Sequence, residues 1–217
     1  GGILDGKLCD NCYIFTPPNF AKVSTLPNFL RPIRNVSLTY YRGTLYAVGG
    51  ETETGEAEGI SSDIYSLKMN PPGSKWEKFY QLPLPRRSAN LAVIGGVLYI
   101  FGGYSGNRNR STQIDTVNLF TNEYRKDNCR LPIGVEGGTL AWHGDYVLLI
   151  GGKRTIEKPD SNVMKIDLTN KAIISVRDLN TPRDSALTIP IKIDEVVVIG
   201  GGRDHTAEKR SWDVQLG

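Results

Sequence analysis

An apolar run closes on a pair of glycines four times in this chain: Leu45-Tyr-Ala-Val-Gly49-Gly50, Leu98-Tyr-Ile-Phe-Gly102-Gly103, Val147-Leu-Leu-Ile-Gly151-Gly152 and Val196-Val-Val-Ile-Gly200-Gly201. The first two residues, Gly1-Gly2, are a fifth pair. Counted at the second glycine, the steps are 48, 53, 49 and 49 residues. A fixed period of this length marks supersecondary units that bury their apolar faces against one another. Glycine at the end of a buried run admits backbone angles and close approaches that a side chain forbids.

Each unit has the same internal order. A strand such as Ala89–Ile94 is followed by a tight turn and then by the run that ends in Gly-Gly, which predicts a hairpin. The second strand is apolar at nearly every position, so both its faces are expected to be covered. A polar loop leads to a third strand (Asp63–Leu67, Ile114–Leu119, Asn162–Ile166, Trp212–Leu216), and a fourth carries an aromatic or apolar anchor, as in Trp76–Phe79 or Ile173–Val176. No segment holds a helical period. Four short antiparallel strands repeated every 49 or so residues are the pattern of a propeller blade, so the expected fold class is an all-β β-propeller.

The units resemble kelch repeats, whose pattern is a hydrophobic strand, Gly-Gly, a Tyr-x-Leu-like strand and a tryptophan. Trp76 and Tyr65 keep that pattern, while Tyr124 and Ile173 or Ile174 replace the tryptophan in later units. The resemblance extends over residues 1–217 as one domain: a partial blade at 1–28 and units at about 29–81, 82–130, 131–178 and 179–217. Kelch rings usually have six or seven blades, so about four blades' worth of strands is expected to be part of a larger ring. The alternative is a four-bladed ring in which residues 1–28 complete the last blade. An open piece would expose strand edges and self-associate through them.

Charge and cysteine content exclude several classes. The net charge of +3 is too small to argue for nucleic acid or an anionic membrane surface, and no apolar run approaches the ~18 residues of a membrane helix. Cys9, Cys12 and Cys129 are too few for a disulfide scaffold. Cys9-Asp-Asn-Cys12 has the spacing of half a zinc site without a second half. With no signal-like start, the expected compartment is cytoplasmic. Asn35 and Asn109 head sequons that matter only in a secreted chain.

Two loop sets carry candidate function. Loops after the Gly-Gly pairs vary in charge: residues 51–62 are acidic, and 104–113, with Arg108 and Arg110, are basic. The loop after Gly201 holds Arg203 and His205. The second set precedes the first strand. Sixteen residues back from the second glycine stand Arg34, Arg87 and Glu136; with a hairpin taken as two residues longer in the last unit, 18 back gives Arg183. If the kelch resemblance holds, these positions gather at one channel mouth, where guanidinium forks would grip carboxylates. The competing reading is that each arginine pairs with a neighbouring acid and holds the blades together.

Catalysis is the weaker expectation. Copper chemistry of the galactose-oxidase-like kelch enzymes needs a histidine–tyrosine set, and His143 and His205 stand at unlike positions. The Glu-x-x-x-Asp-x-x-x-His spacing of the iron-binding specifier proteins does not occur. Mutarotase-like propellers use acids and arginines around the channel, a composition that Glu136, Arg34, Arg87 and His205 share without a specific motif. The sequence therefore points to a non-catalytic interaction module without a cofactor, presenting Arg34, Arg87, Glu136, Arg183, Arg108, Arg110, Arg203 and His205 to a protein or acidic peptide. A small-molecule enzyme or carbohydrate-binding propeller is the alternative.

Overall fold

The computed structural model describes residues 1–16, 22–52, 59–71, 73–143, 146–155, 158–190, 195–202 and 214–216. The chain forms two compact units, Gly1–Arg87 and Ser88–Gly217. Their regular elements are β-strands joined by antiparallel pairing.

In the first unit, β1 (Gly2–Leu4) and β2 (Lys7–Cys9) make a short hairpin, and β3 (Cys12–Thr16) pairs with β4 (Lys22–Leu26). β5 (Ser37–Tyr41), β6 (Thr44–Val48), β7 (Asp63–Lys68) and β8 (Glu77–Gln81) follow as a four-stranded meander. Within the partial blade read at residues 1–28, β3 carries Tyr13 and β4 carries Val23. The β1–β2 hairpin was not expected there; it occupies the stretch after Gly-Gly that is a loop in later units. One face of the meander packs Ala47, Tyr65, Leu67 and Trp76 with Phe29 and Ile33 against Cys12 and Leu26. Trp76 meets Phe29 edge-on at 5.0 Å and donates its indole N–H to the Pro27 carbonyl at 3.2 Å. Leu38 and Tyr40 register opposite Ala47 and Leu45, on that same face, yet are 58% and 60% exposed.

In the second unit, β9 (Asn90–Ile94), β10 (Val97–Phe101), β11 (Gln113–Asn118) and β12 (Tyr124–Arg130) form one four-stranded blade. A second comprises β13 (Thr139–His143), β14 (Tyr146–Ile150), β15 (Val163–Asp167) and β16 (Ala172–Ser175). The last has three described strands, β17 (Leu187–Pro190), β18 (Val196–Ile199) and β19 (Val214–Leu216). The strands ending in Gly-Gly are buried on both sides as their composition requires: Leu98, Ile100, Phe101, Val147 and Leu149 are all fully buried. One core joins Phe101, Ile114, Leu131 and Val135 to Val147, Leu149, Met164 and Ile166, and another joins Ala141, Ile150 and Val163 to Val198. Burying side chains of this size stabilises a fold by roughly 1.5–3 kcal/mol each.

The glycine pairs join consecutive repeats through the backbone. The N–H of the second glycine donates 2.8 Å to a carbonyl just ahead of the next first strand: Gly2 to Ile33, Gly50 to Arg86, Gly103 to Val135 and Gly152 to Arg183. The first glycine lies against that same carbonyl, at φ +63° for Gly49, +62° for Gly102 and +61° for Gly151. A Cβ there would both strain the backbone and occupy the place of the carbonyl.

Candidate functional site

In three repeats the residue after Gly-Gly bridges to the residue three positions ahead of that repeat's first strand: Arg34 with Glu51, Glu136 with Lys153 and Asp184 with Gly202. This register corrects the expected equivalence in the last repeat. Its hairpin is one residue longer than the others, not two, since Leu187 registers with Ile199 where Thr139 registers with Ile150. Asp184 thus stands where Arg34 and Glu136 stand. Arg183 belongs instead with Ile33, Arg86 and Val135, the clamp positions; it is 1% exposed and donates to the Gly200 carbonyl at 2.7 Å. The equivalent set is therefore Arg34, Arg87, Glu136 and Asp184, with two arginines rather than three.

In the first unit these residues form a charged cluster. Arg34 and Glu51 exchange backbone hydrogen bonds of 3.0 and 2.8 Å, which fixes both side chains on one side of the pair. The Glu51 carboxylate accepts Arg34 at 2.6 Å, Arg87 at 2.9 Å and the Asn35 amide at 3.4 Å. Glu51 is half-sequestered, while the Arg34 side chain remains 40% exposed. Two guanidinium groups thus converge on one carboxylate. Burial pushes the Glu51 carboxyl up, but the Arg34 hydrogen bond and the charges of Arg87 and Arg34 outweigh it and hold the group below the usual glutamate range. Asp63 behaves alike: burial raises it, and hydrogen bonds from Lys78 and Tyr65 with the charges of Lys78 and Arg31 bring it below the usual value.

Both folded pKa values lie below the unfolded ones, so both groups contribute stability that is present above the ordinary carboxylate pKa of about 4. That contribution disappears as pH falls through the folded values. Acid titration of the folded chain is expected to show a loss of melting temperature beginning near pH 4, and Glu51→Gln with Asp63→Asn is expected to flatten it. An unchanged slope in the double variant counts against these two carboxylates.

In the second unit the same positions are closed by compensated pairs. Glu136 exchanges backbone hydrogen bonds with Lys153, and its carboxylate accepts Arg110 at 2.7 Å with both side chains nearly buried. Lys153 in turn reaches Asp184 at 2.7 Å. The loop from Tyr104 to Arg110 is a miniature hairpin: Tyr104 and Arg110 bridge, the Arg110 guanidinium lies 5.7 Å above the Tyr104 ring, and the Arg108 N–H donates to the Tyr104 hydroxyl at 3.0 Å. Arg108 stands exposed at its tip with φ +59°. Arg203 and His205 lie outside the described residues. Glu51 and Lys153 were missed as individual site residues. Their signal was available: each directly follows Gly-Gly and carries the charge opposite to the residue 17 positions before it.

Nothing in these clusters pairs a nucleophile with a base, and among the described residues no group of three or more His, Cys, Asp and Glu is placed to hold a metal. Cys9, Cys12 and Cys129 are free thiols. What the first-unit cluster offers is forked hydrogen-bond donors toward a carboxylate.

A chain of four-stranded meanders joined by Gly-Gly clamps is a kelch-type β-propeller by fold class. Residues 85–117 match the family model for the Kelch motif, and the chain carries the kelch repeat. It is 26% identical over 186 residues to Kelch-like protein 41b of Danio rerio, covering 84% of this chain and 30% of that protein. It is 30% identical over 115 residues to N-acetylneuraminate epimerase of Haemophilus influenzae (strain PittEE), covering 51% of this chain and 30% of the epimerase. The chain thus spans under a third of the length of these two curated relatives. Among solved structures it superposes on "Structure of YjhT" with a TM-score of 0.68 and 18% identity over 87% of this chain and 66% of that one; this likeness is one of fold.

Proposed function

We propose that the chain is a non-catalytic interaction module that binds an acidic segment of a protein partner through the Arg34–Glu51–Arg87 cluster. The observation that carries this reading is the sharing of one carboxylate by two arginines, one of them 40% exposed. A partner carboxylate would meet planar donors in bidentate geometry. The similarity to Kelch-like protein 41b supports a protein partner in general. Arg108, held out on an ordered loop, supports a second recognition element in the other unit. Arg110, Glu136 and Arg183 are committed to internal contacts and serve the frame. The test is fluorescence anisotropy with a labelled glutamate-rich peptide. Arg34→Gln combined with Arg87→Gln is expected to weaken binding at least about tenfold, the worth of one or two charged hydrogen bonds. Glu51→Gln, which removes the negative charge that competes for both guanidinium groups, is expected to tighten it. Equal affinities in all three proteins would make the cluster a strut between strands and end the proposal.

β3 pairs with β4 alone among the described strands, and Tyr13 and Phe15 on it are 55% and 58% exposed. Open edges of this kind template pairing with another strand, which supports self-association as part of the proposal. Light scattering across concentrations reads it directly. The free thiols fit a reducing, cytoplasmic setting. A small-molecule reading is favoured by the epimerase similarity alone. Proton NMR of the rate at which freshly dissolved N-acetylneuraminate reaches its anomeric equilibrium, with and without the protein, decides for or against it.

A further inference from the structure

Strand pairing in the first unit leaves β3 with one neighbour where its counterparts have two. β7, β11 and β15 are each flanked on both sides, by β6 and β8, by β10 and β12, and by β14 and β16. β3 is flanked by β4 alone among the described strands. The backbone contacts just ahead of it fix which of its groups face outward. The Asp10 carbonyl accepts the Phe29 N–H at 2.8 Å on the side of β4, and the Asn11 carbonyl accepts the Gly1 amino group at 2.6 Å on the other side. Successive residues of a strand turn their N–H and C=O groups to alternate edges, so Tyr13 and Phe15 present theirs along the open edge. Their side chains also lie away from the core: Cys12 packs toward it with Leu26, alternation turns Tyr13 and Phe15 to the opposite face, and both are exposed.

Three features of this edge select its occupant. It carries no charge: β3 reads Cys-Tyr-Ile-Phe-Thr, and charge is one of the devices that keep further strands off an edge. It is short: the Gly1 amino group already occupies the place beside Asn11, so an added strand has to leave after the 5 residues of β3. It is also complementary to itself. A second β3 laid antiparallel, with Ile14 on the two-fold axis, sets Tyr13 of each copy across from Phe15 of the other. Both residues point their backbone groups at this edge, so each pair exchanges two hydrogen bonds and brings two aromatic rings side by side. The incoming strand has the required length, and Pro17-Pro18 follow it; prolines have no N–H to leave unsatisfied where the chain turns away. The product is a four-stranded sheet in the order β4-β3-β3-β4, with the strand count of the complete meanders in this chain.

We propose that two copies of the chain join edge to edge through β3, antiparallel about a two-fold axis at Ile14; this rests on the self-association read above and gives it a site, a partner and a register. The test is light scattering across concentrations on the whole chain and on two variants changed only at exposed positions. Tyr13→Lys with Phe15→Lys sets lysine across from lysine in both pairs, and Tyr13→Glu with Phe15→Glu sets glutamate across from glutamate. Each variant alone is expected to associate at least about tenfold more weakly than the unaltered chain. An equimolar mixture, in which lysine meets glutamate, is expected to recover the mass of two chains. Hydrogen exchange of the unaltered chain gives a reading that needs no variant: protection of the Tyr13 and Phe15 amides is expected to rise with concentration alongside the mass. Association that persists in both variants, a mixture that stays at the mass of one chain, or a doubled mass with unchanged protection of these amides overturns the β3 pairing and leaves self-association to another surface. A single-chain mass for the unaltered protein at every concentration overturns self-association itself.

Discussion

Gly102→Ala is expected to destabilise the chain by about 3–5 kcal/mol, while Gly95→Ala is expected to cost only about 1 kcal/mol. The two glycines sit at nearly the same backbone angle, φ +62° and +58°. An added methyl therefore brings the same left-handed strain to both. Their surroundings differ. Nothing lies within 4 Å of a Cβ on Gly95, whereas a Cβ on Gly102 would collide with the Val135 carbonyl, which also accepts the Gly103 N–H at 2.8 Å. Neither backbone group has room to move, because Val135 is fully buried in the core. Forcing them apart costs the hydrogen bond as well, about 1–3 kcal/mol for a buried group left unsatisfied. For a chain of this size the difference between the variants corresponds to roughly 10 °C in melting temperature. Equal melting temperatures would mean that the glycine pair matters for its backbone angle alone and that the close approach between repeats contributes nothing.

The second large effect is expected at Glu136. Glu136→Ala strands the Arg110 guanidinium, whose side chain is 7% exposed, and removing one partner of a buried pair typically costs about 3–5 kcal/mol. The Tyr104 ring beneath Arg110 offsets only a small part of that. Glu123→Ala is the contrast: its pair with Arg125 is 3.6 Å long with both side chains mostly in water, and a change under about 0.5 kcal/mol is expected. Replacing both members of the buried pair, Glu136→Leu with Arg110→Met, is expected to restore most of the loss, because the desolvation of two charges disappears along with their attraction. Urea unfolding of the three proteins measures this directly. If the double replacement is as unstable as Glu136→Ala, the carboxylate matters through its other contacts and not through Arg110.

The strands were legible in the sequence because they obey a period that survives substitution. The run before each Gly-Gly must be apolar on both faces, and no other element satisfies that in four places. Counting residues located Arg34, Arg87 and Glu136 correctly, since their hairpins are of equal length. It failed for Arg183, where one extra residue in the hairpin moved the count onto the clamp position. Nothing in the side chain gave a warning: arginine reads as a surface residue, and its burial here comes from the Gly200 carbonyl that receives it. The partners Glu51 and Lys153 were hidden in loops whose charge was read as an average, although pairing is decided by a single position next to the glycines. The β1–β2 hairpin was not legible because strands of three residues carry too little pattern to separate from a loop.

The clamp between repeats has a bearing on how such a chain changes over time. The carbonyls gripped by the glycines belong to Ile33, Arg86, Val135 and Arg183, two aliphatic side chains and two cationic ones. A joint made from main-chain atoms is indifferent to what the neighbour carries, so each repeat brings a standard socket at one end and a standard plug at the other. A duplicated blade would arrive with both halves of the fitting already in place, and its loops would be free to diverge from the first generation onward.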